Sequence, residues 1–139
     1  VGNNVIIANN VPLGGHVIVE DSVVIGGNSA VQQFTRIGRM AMIGGMTGVL
    51  KDVIPFGLSV GNRNYLQGLN LIGLRRKNYE NKKIMELNKA YDEIFSSKNL
   101  QENLSKINGQ FKDNELVEEV INFIAKDKKR AICTPLNKE

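Results

Sequence analysis

The 139-residue chain carries 18 Lys and Arg against 14 Asp and Glu, a net charge of +4, with 42% hydrophobic residues and one Cys. That length accommodates one domain or two small ones, and the lone Cys133 excludes an internal disulfide framework and fits a reducing compartment. No run of 18 uncharged apolar residues exists, which argues against a transmembrane span, and no basic segment followed by an apolar one marks a signal peptide.

From Val1 to Ile54 an aliphatic residue returns at every sixth position: Val1, Ile7, Leu13, Val19, Ile25, Val31, Ile37, Ile43 and Val49. The next residue is often small (Gly2, Ala8, Gly14, Gly26, Gly38, Gly44), and the fifth of each hexad is small or β-branched, as in Val23, Ser29, Thr35 and Thr47. A single hexad, one short strand and a bend, cannot bury its own apolar side chain. Stacked coils can, and three hexads closing a triangle give an 18-residue turn with strands about 4.8 Å apart. The pattern therefore predicts a parallel β-helix whose aliphatic columns fill the prism, with glycine, where it follows a corner residue, suiting a tight bend that needs positive φ. Val1 is already a corner residue, so further coils are expected before it.

The period breaks at Pro55-Phe56-Gly57, and Leu58 to Asn62 reads as a loop or last short strand. Helical spacing then takes over. Leu66, Leu69 and Ile72 or Leu74 predict a short helix, and Ile84, Met85, Leu87, Ala90, Tyr91, Ile94 and Phe95 a longer amphipathic one. Asn99 caps a helix carrying Leu100, Leu104 and Ile107 and ended by Asn108-Gly109; Asp113 or Asn114 opens another carrying Leu116, Val117, Val120, Ile121 and Ile124. The expected organisation is β-helix coils over 1–62, an α-helical domain over 63–125 and a polar, partly disordered tail over 126–139.

Charges cancel within residues 1–54, and the positive excess is C-terminal: Arg63, Arg75, Arg76 and Lys77, then Lys126, Lys128, Lys129, Arg130 and Lys138. A basic second half fits an acidic protein or a phosphate-bearing partner, with a solvated surface as the alternative.

His16, the only histidine, follows Gly14-Gly15 at an outward position of its hexad. The 18-residue period stacks Gln33 above Gly15, so a histidine, an amide and a bare glycine N–H share one outward face and offer donors to a carbonyl or sugar oxygen. Asn9, Gly27 and Gly45 form a second column. It is either a shallow channel or a run of tight bends. One histidine and one distant cysteine are too few to hold zinc between subunits, and neither a nucleophile elbow nor a phosphate loop is present.

Ile7-Ala8-Asn9-Asn10, Leu13-Gly14-Gly15-His16-Val17, Ile25-Gly26-Gly27, Val31-Gln32-Gln33-Phe34 and the run from Gly61-Asn62 through Gly68-Leu69-Asn70-Leu71-Ile72-Gly73-Leu74-Arg75-Arg76 resemble the bacterial UDP-N-acetylglucosamine O-acyltransferases of lipid A synthesis. The resemblance implies an all-β left-handed parallel β-helix followed by a C-terminal α-helical domain, assembled as a cytoplasmic homotrimer with active sites between subunits. It also implies transfer of an R-3-hydroxyacyl group from acyl carrier protein, through its phosphopantetheine arm, to the glucosamine 3-position of a UDP-sugar. No further cofactor, metal, nucleic acid or stable membrane insertion is implied. Carried over by position, Gly15 supplies the oxyanion N–H, His16 and Gln33 contact the acyl donor or product, and Gly45 lies where acyl length is measured. Asn70 and Arg76, with Arg75 and Lys77, hold the uridine diphosphate, arginine being suited to bidentate phosphate contact. The family's general base, a histidine, has no counterpart in these residues. A related N-acyl- or acetyltransferase and a non-catalytic trimeric β-helix module are the alternatives, and the Gly68 to Arg76 segment argues against the first.

Overall fold

The computed structural model describes residues 1–107 and 109–136. Asn108, expected to help end a helix, and Lys138, counted with the basic tail, lie outside them. The chain forms two compact units: Val1–Asn70 joined by the segment from Asp127 onward, and Leu71–Lys126.

The first unit is a left-handed parallel β-helix of two-residue strands. One face holds β1 (Ile6–Ile7), β3 (Val24–Ile25), β6 (Met42–Ile43) and β8 (Gly57–Val60), with β9 (Tyr65–Leu69) added antiparallel to β8. A second face pairs β2 (Ile18–Val19) with β5 (Arg36–Ile37), and the third pairs β4 (Ala30–Val31) with β7 (Gly48–Val49) and bridges Leu13 to Val31. Ile7 pairs with Ile25 and Ile25 with Ile43, the 18-residue register that the hexads predict.

Val19, Val23, Ile25, Val31, Ile37, Ile43, Val49 and Val53 are buried in the prism, each contributing about 1.5–3 kcal/mol relative to exposure. Ser29, Thr35 and Thr47 occupy the same interior without leaving it unsatisfied. The Ser29 and Thr47 hydroxyls both donate to the Gly44 carbonyl, at 2.9 and 2.6 Å. In the first coil the inward positions are more open, with Val1 exposed and Leu13 half-buried.

The bend is carried by residues other than those expected. Asn4, Asn10, His16, Ser22, Asn28, Phe34, Met40 and Met46, the fourth residue of each hexad, take left-handed φ values from +56° to +67°. The small residue two places earlier serves close approach instead. A β-carbon on Gly26 would lie 2.5 Å from the Gly45 nitrogen, and one on Gly14 would collide with the Gln33 backbone.

The prism also runs further than the hexads indicate. Ile37 pairs with Val53 and Ile43 with Ser59, each two residues short of the 18-residue period, so one shortened coil closes through Pro55-Phe56. Phe56 takes the left-handed corner there at φ +65°. Leu66 and Leu69 then lie on strand β9, not on a helix. Their three-residue spacing arises from a bulge opposite Leu58 and Ser59, with Gly68 at φ +143°, which turns both leucines inward.

The tail, expected to be partly disordered, returns to this unit. The Asp52 N–H donates to Ala131 O (3.0 Å), Cys133 N–H to Asp52 O (2.8 Å) and Leu66 N–H to Thr134 O (2.9 Å). Buried Asp52 is held between the guanidinium groups of Arg36 (2.8 Å) and Arg130 (2.9 Å).

The second unit contains α1 (Leu71–Arg76), α2 (Asn81–Ile94), α3 (Leu100–Ile107) and α4 (Glu115–Lys126), packed through Leu74, Ile84, Leu87, Ile94, Leu104, Leu116, Val120 and Phe123. Met85, expected on the inward stripe, is exposed. Asn99 Oδ1 accepts the Glu102 N–H, and Asn114 Oδ1 accepts those of Leu116 and Val117, so both predicted caps are made.

Candidate functional site

Along one edge of the prism, between the third face and the second, Gly15 and His16 form a turn on which Gln33 and Phe34 of the next coil sit. Gly14 N–H donates to Val31 O at 2.8 Å, and Phe34 N–H to Gly15 O at 2.9 Å, fixing the two coils in register. The Gly15 N–H meets no acceptor among the described residues, and a β-carbon built on Gly15 would find nothing within 4 Å. It is a backbone donor in a pinned turn with open space on its β-carbon side, of the kind that can stabilise a developing oxyanion without reorganisation. The His16 imidazole is exposed and lies parallel to the Phe34 ring, with centroids 5.0 Å apart and an interplanar angle of 3°. Gln33 is exposed beside them. Gly15, His16 and Gln33 are thus brought together as the 18-residue period predicts.

Asn9, Gly27 and Gly45 stack along a different edge, between the first face and the third. Asn28 N–H donates to Asn9 O (3.0 Å) and Met46 N–H to Gly27 O (2.9 Å). Gly27 and Gly45 do lie at tight bends, each the first residue of a turn whose second residue, Asn28 or Met46, carries the left-handed φ. Gly45 is exposed and leaves a notch, whereas the space beside Gly27 is filled by Asn9 Oδ1, 2.9 Å from where a β-carbon would be. Within one chain Gly45 does not share an edge with Gly15.

Asn70 ends β9. Its backbone N–H donates to Phe56 O (2.7 Å) and its side-chain amide to Met40 O (3.0 Å), so it braces the last coils. Asn64 is buried, its Oδ1 accepting from Leu50 and Lys51 N–H, while neighbouring Arg63 is exposed.

Arg75, Arg76 and Lys77 belong to the second unit, at the end of α1, where Asn78 (φ +61°) stops the helix. All three are exposed, and none forms an ion pair among the described residues. Cations suit a helix C-terminus, and an exposed guanidinium group suits a phosphate.

Sequence reasoning assigned no role to Phe34 or to the Arg36, Asp52 and Arg130 cluster. The first was within reach, since Phe34 follows His16 by one 18-residue turn; the second joins distant segments that no period links. Among the described residues no three His, Cys, Asp or Glu side chains converge as a metal site, and no helix is long and apolar enough to cross a membrane. Burial raises the Cys133 thiol to a pKa of about 11, against a weaker opposing hydrogen bond from Ser59.

Residues 52–133 match the family described as UDP-N-acetylglucosamine O-acyltransferase, domain 2. The acyl-[acyl-carrier-protein]–UDP-N-acetylglucosamine O-acyltransferase of Rhizobium leguminosarum is 44% identical over 136 residues, covering 97% of this chain and 50% of that protein. The crystal structure of the UDP-N-acetylglucosamine O-acyltransferase from Moraxella catarrhalis superposes with a TM-score of 0.87 at 35% identity, covering 95% of this chain and 51% of that one. The Arabidopsis UDP-N-acetylglucosamine acyltransferase does so with a TM-score of 0.84 at 36% identity, covering 95% and 49%. The chain spans about half the length of the relatives it matches.

Proposed function

The chain belongs to the UDP-N-acetylglucosamine O-acyltransferase family, and on that premise we propose that it forms part of an enzyme moving an R-3-hydroxyacyl group from acyl carrier protein to the 3-position of a UDP-N-acetylglucosamine-type sugar, opening lipid A synthesis. The observation that carries the reading is the Gly15 N–H, fixed between coils, unpartnered among the described residues and flanked by His16 and Gln33.

The sugar oxygen attacks the thioester carbonyl carbon of the acyl-phosphopantetheine. Charge gathers on the carbonyl oxygen, where the Gly15 N–H donates to it. The carbon–sulfur bond then breaks, the acyl ester remains on the sugar, and the thiol leaves on the carrier protein. A general base must take the sugar's proton. In the family this is a histidine outside residues 1–139, and His16 serves as a contact to the acyl donor. Arg75, Arg76 and Lys77 bind the diphosphate, with Asn70 nearby in sequence, and basic residues of the helical surface receive the acidic carrier protein. No resident cofactor is needed, and the enzyme works in the cytoplasm.

A homotrimer with sites between subunits fits two features. Gly15 and Gly45 lie on different edges of one prism, so a groove using both takes one edge from each of two copies. Ile6, Ile18 and Met42 also leave apolar surface exposed on the prism. The decisive experiment offers the protein carrying this chain a UDP-sugar with either R-3-hydroxyacyl carrier protein or acetyl-CoA and follows product mass. Acylated sugar only from the carrier protein is expected; acetyl transfer without carrier-protein turnover would overturn the proposal.

A further inference from the structure

We propose that Phe34 is a positioning residue for acyl-donor recognition, holding the His16 imidazole in a fixed plane at the prism edge; the inference rests on the reading of His16 as a donor contact. Three observations carry it. Phe34 braces His16 twice, because its N–H bonds the Gly15 carbonyl at 2.9 Å, which anchors the peptide leading into His16, and its ring covers the imidazole at 5.0 Å and 3°. A stacked phenyl contributes no hydrogen bond, so it orients the exposed imidazole while leaving both ring nitrogens without a partner among the described residues.

Phe34 sits at φ +67°, the left-handed corner that His16, Met40 and Met46 also take, so its backbone conformation belongs to the fold. Its side chain is half-exposed, at 51%, so core burial does not account for a phenyl ring at this corner.

The fold supplies the control substitution. Met40 and Met46 occupy equivalent corners at φ +59° and +58°, so Phe34→Met keeps a residue type that this backbone already accepts while removing the flat face. In the protein carrying this chain, the imidazole proton resonances of His16 should move downfield in F34M, as the phenyl ring current is lost, and return upfield in Phe34→Tyr. Affinity for an R-3-hydroxyacyl-phosphopantetheine should fall about two- to tenfold in F34M, the scale of one aromatic pair, with UDP-N-acetylglucosamine affinity unchanged, and F34Y should restore it. Unmoved resonances, or equal losses for both ligands, would overturn the proposal. His16→Ala separates the two levels: if it leaves donor affinity intact, the reading of His16 fails irrespective of how Phe34 behaves.

Discussion

Asp52 and Arg130 lie 78 positions apart, yet their Oδ1 and Nε atoms meet at 2.9 Å, with Arg36 Nε on the other carboxylate oxygen at 2.8 Å. The carboxylate is fully buried and Arg36 nearly so. Removing the acid leaves guanidinium charge without its counterion in a dry site. Asp52→Asn is expected to cost about 3–5 kcal/mol of unfolding free energy, measured by urea titration. Arg130 is more accessible to water, so Arg130→Ala should cost less. A loss under about 1 kcal/mol for D52N would mean that the cluster is weakly coupled to folding.

Cys133 offers a pH test. Its thiol is buried beside Ser59 and its pKa is raised to about 11. A raised folded-state value favours the neutral form, so this contribution to stability is complete below the ordinary thiol range near pH 9 and is lost as pH climbs toward 11. Iodoacetamide at pH 8 should label the native protein far more slowly than the urea-unfolded one. Equal rates would show that the tail leaves the prism readily.

Adjacent glycines should respond in opposite ways. A methyl on Gly14 would collide with the Gln33 backbone, whereas one on Gly15 would enter open space. Gly14→Ala is expected to lose about 1–3 kcal/mol by overpacking, and Gly15→Ala to stay within about 0.5 kcal/mol of the parent. Thermal melts compare them. If G15A is folded and its transfer rate still falls, the open donor edge is implicated directly.

Arg76→Ala should raise the Michaelis constant for the UDP-sugar about tenfold or more, as expected when a charge-assisted phosphate contact is lost, with the constant for the acyl carrier protein little changed. An unchanged value for the sugar would remove Arg76 from the diphosphate site.

The interior of the prism was legible because burial imposes a strict period. Val19, Ile37, Ile43 and Val49 are where the hexads put them, and Gln33 lies over the Gly14-Gly15 turn for the same reason. Asn99 and Asn114 were legible as caps, because their short side chains reach the first free N–H groups of a helix. Much of what escaped was structure without a period. The bulge at Gly68 gave Leu66 and Leu69 a helix-like spacing inside a strand. The left-handed corners do recur every sixth residue, but they escaped because glycine was expected to carry the bend, and His16, Phe34, Met40 and Met46 are not residue types that favour that conformation. The tail's return depends on an ion pair between segments separated by the whole helical unit. In the candidate site, Gly15, His16 and Gln33 followed from polarity and spacing, while Phe34, being apolar, gave no reason to look for it on the surface.

The left-handed corners have a consequence for how such a protein can change. The same backbone conformation accepts asparagine, serine, histidine, phenylalanine and methionine at successive bends, while the inward columns beside them set the register. Folding information and surface chemistry therefore occupy separate positions of the hexad. A corner side chain can be exchanged with little demand on the core. Each edge of the prism is then a row of sites at fixed intervals, on which new recognition can be assembled one residue at a time without rebuilding the scaffold beneath.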